Sequence, residues 1–215
     1  MNAPVLNHFL IFSRIAERLR SHGYCVIDQA FDPALTNSLQ QYAAELQAEG
    51  DMQRAGIGRG DDQILKSDVR KDRIHWLTAG TPAAAQWLAT MESMRLFLNQ
   101  ELLLGLFSYE SHIAHYAPGD FYRKHLDAFQ GESNRVLSTV YYLNADWQPE
   151  NGGELVIYDT DDRELERVSP AFNRLVIFLS EEFPHEVKPA LADRYSIAGW
   201  FRLNGSSRDR VDPPR

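Results

Sequence analysis

The sequence predicts an α+β fold, with helices in the first half and a barrel or jelly roll of short strands in the second. Three observations carry that reading. Apolar residues recur at helical spacing up to about residue 105. Beyond it, short runs rich in β-branched and aromatic residues follow one another between turn signals. No repeat, low-complexity tract or linker divides the 215 residues, a length that suits one domain with a sizeable core.

A first helix is expected over roughly residues 7 to 21, and Tyr24-Cys25-Val26-Ile27 reads as a strand. Asp32-Pro33 opens a second helix, with Asp as N-cap and Pro in the first turn. Leu35, Leu39, Tyr42, Ala43 and Leu46 share one face, and Gly50 ends the run. Thr81-Pro82 opens a third helix carrying Trp87, Leu88, Met91 and Phe97. These stripes read as core. Between the last two helices, Met52 to Asp72 is too long and polar for an ordinary connector and carries Gly56, Gly58 and Gly60. On local sequence it is equally a binding loop or a surface insertion. Strands are expected at Val136 to Leu143, Glu154 to Tyr158, Arg174 to Phe178 and Arg194 to Phe201.

Composition excludes several classes. At 44% hydrophobic and 24% charged residues, the chain is globular rather than disordered. No apolar run approaches the ~20 residues of a membrane span, and the Met1-Asn2-Ala3-Pro4 start does not read as a signal peptide. Cys25, the only cysteine, rules out an internal disulfide and fits a reducing cytoplasm. A net charge of -8 argues against broad binding to phosphate backbones. The expected partners therefore include neither nucleic acid nor membrane.

The chemistry starts at His125-Leu126-Asp127. On a strand, residues i and i+2 share a face, so both side chains can reach one metal. His185, on a later segment, is available as a third ligand. Two histidines and a carboxylate on one face of an octahedron leave the other open, as in non-haem Fe(II) oxygenases. Alone the pair is weak, since seven histidines and 30 acidic residues give about one such match by chance. Nine residues beyond His185 stands Arg194, whose forked guanidinium suits a carboxylate better than lysine does, although surface ion pairing is the commoner fate of arginine.

His125-Leu126-Asp127, His185 and Arg194, in that order, resemble the 2-oxoglutarate oxygenases. The closer similarity is to prolyl 4-hydroxylases of the hypoxia-inducible-factor type and their bacterial relatives. It runs from about residue 66 to 203. Its densest blocks are Tyr141 to Trp147, Gly152-Gly153-Glu154-Leu155, Pro184 to Ala190 and Arg194 to Trp200. The resemblance implies a double-stranded β-helix of jelly-roll, cupin-like kind, with helical support over about 1–105 and the β-helix over about 106–205. It implies His125, Asp127 and His185 as the catalytic iron triad, and Arg194 as the grip on the distal carboxylate of 2-oxoglutarate. Tyr142 assists that grip, and Tyr116 lines the cosubstrate pocket. Without the resemblance both tyrosines read as core. Arg135 and Trp200 match contacts to a target peptide. Arg70 and Asp72 match a charged pair at the base of a finger loop, with Asp72 near Arg135 when it closes. This makes Met52 to Asp72 a substrate-closing loop.

The implied cofactors are Fe(II), 2-oxoglutarate and O2, with ascorbate as a stimulant. The implied partner is a protein carrying a target proline, elongation factor Tu being the candidate. The alternatives are the same oxygenase chemistry on another residue or a small molecule, a nucleobase being disfavoured by the acidic net charge, or a metal-binding sensor without turnover. Two departures from the family stand out. Tyr116 precedes His125 by nine residues, one fewer than in animal members, and Ala198 stands where they have threonine near the metal. His112 and His115 have no ligand role in the family and read as structural, or as supports behind the metal ligands.

Overall fold

The computed structural model describes residues 3–56, 68–128 and 134–205. Residues 57–67, most of the expected closing loop including Gly58 and Gly60, lie outside the described residues.

Three helices form, two of them where the caps predict. The first, α1, spans Ala3–His22, longer at its start than its apolar pattern suggests. Asp32 caps α2, Pro33–Glu49, its carboxylate accepting from the Ala34 N–H, and Gly50 ends it in the left-handed conformation that glycine adopts freely. Thr81 caps α3, Pro82–Leu102, with its side chain accepting from the Ala84 N–H. The fully buried faces of α2 and α3 include Leu35, Leu39, Ala43 and Leu46 on one and Trp87 and Met91 on the other.

Eleven strands occur among the described residues: β1 Tyr24–Ile27, β2 Gln53–Arg54, β3 Arg73–Trp76, β4 Ser108–Tyr116, β5 Tyr122–His125, β6 Arg135–Tyr142, β7 Leu155–Tyr158, β8 Glu164–Val168, β9 Leu175–Leu179, β10 His185–Val187 and β11 Arg194–Arg202. They make a large sheet in the order β1-β9-β6-β11-β4-β3-β2 and a small one in the order β5-β10-β7-β8. Every pairing between these strands is antiparallel. From β4 onward the chain passes back and forth between the sheets. This is the double-stranded β-helix. The first half supplies more than helical support, because β1, β2 and β3 extend both ends of the large sheet.

Strand alternation sorts the side chains. On β4, β6, β9 and β11, the odd-numbered Ile113, Tyr141, Ile177, Ile197 and Phe201 pack with Ile15, Leu39, Trp87 and Met94 of the helices. The even-numbered Ala114, Tyr116, Tyr142, Val176 and Phe178 point the other way and pack with Leu155, Ile157 and Val187 of the small sheet. The core is thus two layers on either side of one sheet, and the site lies in the second.

Candidate active site

His125 closes β5, the chain turns, and Asp127 follows two residues later. β10 starts at His185, which pairs in register with His125 across the antiparallel ladder. That pairing sets the imidazole centroids 4.3 Å apart. Asp127 lies under both, with its carboxylate oxygens 3.5 Å from His125 Nε2 and 3.6 Å from His185 Nε2. One ligand atom from each of the three lies within 4.8 Å of the others.

The local backbone also selects the tautomers. His125 Nδ1 is 2.8 Å from the Arg123 carbonyl, and His185 Nδ1 is 3.1 Å from the Phe183 carbonyl. A carbonyl can only accept, so both Nδ1 atoms carry the proton and both Nε2 lone pairs face Asp127. The Asp127 carboxylate is held in turn: Ser138 on β6 donates to it at 2.6 Å and meets Ser180 at 2.9 Å. Burial would push the Asp127 carboxyl up. The two histidines and Arg135 outweigh it and hold that carboxyl well below the ordinary carboxylate range.

His185 titrates at about 4, pushed down mainly by burial and further by His125, with Asp127 opposing. The unfolded chain, with an ordinary imidazole near ~6.5, therefore takes up a proton that the folded chain refuses. The metal-free protein should lose stability as pH falls from about 6.5 towards about 4. Melting curves across that window check this. A constant melting temperature would contradict it.

Across the cavity, Arg194 opens β11 and is 1% exposed. Its Nε donates to the Gly153 carbonyl at 2.8 Å and its Nη1 to Ser196 at 3.2 Å, while Nη2 has no partner. Among the described residues, Arg194 takes part in no ion pair. Gly153 has a φ of +69°, and a Cβ there would sit 3.1 Å from Arg194 Cδ, so glycine admits both the backbone conformation and the side chain. The Tyr116 and Tyr142 rings lie 4.8 and 5.1 Å from the guanidinium carbon. The Tyr142 hydroxyl is buried without a partner, and burial pushes both phenols up, so both stay protonated. A buried cation without a carboxylate, beside an orphaned hydroxyl, fits an anionic end group. The nitrogen and oxygen donors of the triad fit a first-row divalent metal.

Of the predicted substrate residues, Arg70, Arg135 and Trp200 line the cavity, and Asp72 is buried against Arg70. Arg70 pairs through two nitrogens with Asp72, at 2.5 and 2.8 Å. Asp72 is 1% exposed. Burial disfavours the Arg70 charge, but Asp72 more than offsets it and raises the guanidinium pKa. The segment is tied to the strand that ends at His125: Arg123 N–H donates to the Val69 carbonyl at 2.9 Å and Lys71 N–H to the Phe121 carbonyl at 3.2 Å. Arg135 stacks over Trp200 at 3.6 Å and pairs with Glu110 at 3.1 Å, so in this structure Asp72 and Arg135 each hold a different partner. Arg70→Ala strands a buried carboxylate and should cost about 3–5 kcal/mol. Adding Asp72→Leu should recover part of that in chemical denaturation, and no recovery would mean that packing alone is lost.

The sequence did not single out Glu110, Ser138, Gly153 or Arg202 as supporting residues, and it left His112 open as structural or supporting. Glu110 bridges Arg135 and Arg202. The signal lay in parity: Glu110, His112 and Tyr116 share one face of β4, and Arg194, Trp200 and Arg202 share one face of β11. His115 points to the other face, where it meets Asp193 at 2.7 Å and stacks on Tyr195.

Comparison with known proteins finds that a family model described as the 2OG-Fe(II) oxygenase superfamily matches residues 111–202. A Pseudomonas putida prolyl-4-hydroxylase structure is 39% identical, with a TM-score of 0.83 over 89% of this chain and 99% of that one. A Trichoplax adhaerens prolyl hydroxylase, solved with a hypoxia-inducible-factor oxygen-degradation-domain peptide fragment, is 25% identical, with a TM-score of 0.82 over 94% of each chain. Human Egl nine homolog 1 is 31% identical over 89% of this chain and 46% of its own length. The chain spans about half the length of the curated relatives it matches first.

Proposed function

We infer the function of this chain from its family: it belongs to the 2OG-Fe(II) oxygenase superfamily, among the prolyl hydroxylases of the hypoxia-inducible-factor type. We propose that it hydroxylates a proline in a protein loop, with elongation factor Tu as the candidate substrate and the cytoplasm as its compartment. The family uses Fe(II), 2-oxoglutarate and O2. One observation carries the reading: a buried arginine without a carboxylate partner lies across one cavity from three convergent metal-ligating side chains.

When bound, the iron and 2-oxoglutarate would supply, with O2, the oxidation of a C–H bond to C–OH, one oxygen atom going to the alcohol and the other to succinate as CO2 leaves. The chain's own residues hold and orient. His125 and His185 offer Nε2 lone pairs fixed by the carbonyls two residues earlier. Asp127, restrained by Ser138, supplies the negative ligand. Arg194 takes the far carboxylate on its free Nη2, with the Tyr142 hydroxyl beside it and Tyr116 as a wall. Trp200 and Arg135 receive the peptide, and the Arg70–Asp72 pair fixes the backbone beside the cavity. Among the described residues no helix is long and apolar enough to cross a membrane.

The test is to incubate the protein with Fe(II), 2-oxoglutarate, ascorbate and purified elongation factor Tu, then measure succinate and map added oxygen by peptide mass spectrometry. One oxygen atom on a proline is expected. Succinate with oxygen on another residue would favour the wider oxygenase reading, and no succinate at all would favour a sensor.

A further inference from the structure

Outside the cosubstrate end, the cavity holds another buried polar atom that the proposed chemistry does not use. His112 is 1% exposed, lines the cavity, and its Nδ1 has no partner. Its other nitrogen is accounted for. Nε2 lies 3.5 Å from Arg70 Nη2, and Arg70 is itself clamped on Asp72. A guanidinium only donates, so Nε2 must accept, and the ring proton resides on Nδ1. Burial, Arg70 and Arg135 all keep this imidazole neutral, against Asp127.

The ring cannot easily turn. Trp76 meets it edge-on at 5.0 Å and Trp200 lies tilted at 5.4 Å. His112 sits between Trp76 on β3 and Ala198 on β11 in the sheet register. Ala198, its small neighbour, also lines the cavity, while Trp76, 39% exposed, marks the outer rim. His112 is therefore an oriented N–H donor without an acceptor, on a residue that lines the same cavity as the triad.

The chemistry of a prolyl residue says what such a donor meets. Proline has no N–H, so its main chain offers a protein only carbonyl oxygens. We propose that His112 is a substrate-contacting residue whose Nδ1–H donates to a main-chain carbonyl flanking the target proline and so sets how the peptide lies in the cavity. The Asp72–Arg70 pair then has a second role, holding the tautomer that makes the donor. The proposal rests on the prolyl hydroxylase reading.

The experiment compares wild type, His112→Leu and His112→Asn on a library of short proline-centred peptides, using whichever peptide the wild type hydroxylates best. Asparagine places an N–H where Nδ1–H stood; leucine does not. Losing one neutral hydrogen bond should raise the peptide KM of His112→Leu about three- to tenfold with kcat little changed. His112→Asn should recover most of that, and 2-oxoglutarate affinity should hold in both. Peptide binding to the metal-free protein, followed by tryptophan fluorescence, should shift in parallel. An unchanged KM, or a matching loss of 2-oxoglutarate affinity, would overturn the proposal. If His112→Leu does not fold, the peptide side decides: a thioamide, a weaker acceptor, at one flanking carbonyl should raise the wild-type KM, and no rise at either carbonyl overturns it. If the wild type hydroxylates no peptide at all, the functional reading itself fails first.

Discussion

Replacing Asp127 by alanine is expected to reduce succinate release to background and to weaken Fe(II) binding by more than about a hundredfold. Partners one shell further out commonly cost up to that much. Asp127 is the only anionic group of the triad, and its two oxygens sit within 3.6 Å of the two histidine Nε2 atoms. Its removal leaves two neutral imidazoles that hold a divalent cation poorly. The fold should survive. No buried charge is stranded, and Ser138 keeps its contact with Ser180 at 2.9 Å. Metal titration and a succinate assay on the same preparation separate loss of metal from loss of structure. Full turnover in the variant would remove Asp127 from the ligand set.

The second large effect is expected at Arg194. Removing one partner of a desolvated charge pair costs about 3–5 kcal/mol, so Arg194→Ala should weaken 2-oxoglutarate binding by roughly two to three and a half orders of magnitude. Iron binding should change far less, because Arg194 belongs to another sheet and makes no contact with the triad that the structure records. Arg194→Lys should recover only part of the affinity. Lysine restores charge but not the fork, and it loses the bond from Nε to the Gly153 carbonyl. Calorimetric titration of 2-oxoglutarate into metal-loaded protein measures both variants. Unchanged affinity would show that another group grips the distal carboxylate.

The sequence was most legible where local chemistry dictates structure. Asp32, Gly50 and Thr81 marked helix ends to within a residue, because caps are local. β9 was visible because both its faces are apolar and buried, and β6 because Val136, Leu137, Val140, Tyr141 and Tyr142 keep it rich in β-branched and aromatic residues around Ser138 and Thr139. β4 was not, although all nine of its residues are buried. Its inner face carries Glu110 and His112, and its outer face carries Ser111 and His115, so buried polar groups broke the hydropathy pattern that marks a core strand. β5, Tyr122-Arg123-Lys124-His125, was hidden by charge, and β10 by its three-residue length. In the site, His125, Asp127, His185 and Arg194 could be placed from spacing and family likeness, and the structure brings all four to one cavity. Glu110 and Arg202 could not be placed. Their importance comes from pairing between strands far apart in the chain, and neighbours of that kind leave no local pattern in a linear sequence.

The two halves of the cavity belong to different walls. His125 and His185 ride on the small sheet, whereas Arg194 rides on the large one. A dicarboxylate held at both ends is then a cross-beam between walls, and the gap between the sheets is a gauge for its length. A shorter diacid must leave one end loose, and a longer one must push the walls apart. Filling that span should also quiet the breathing of the barrel, so that amide hydrogen exchange slows in β10 and β11 together.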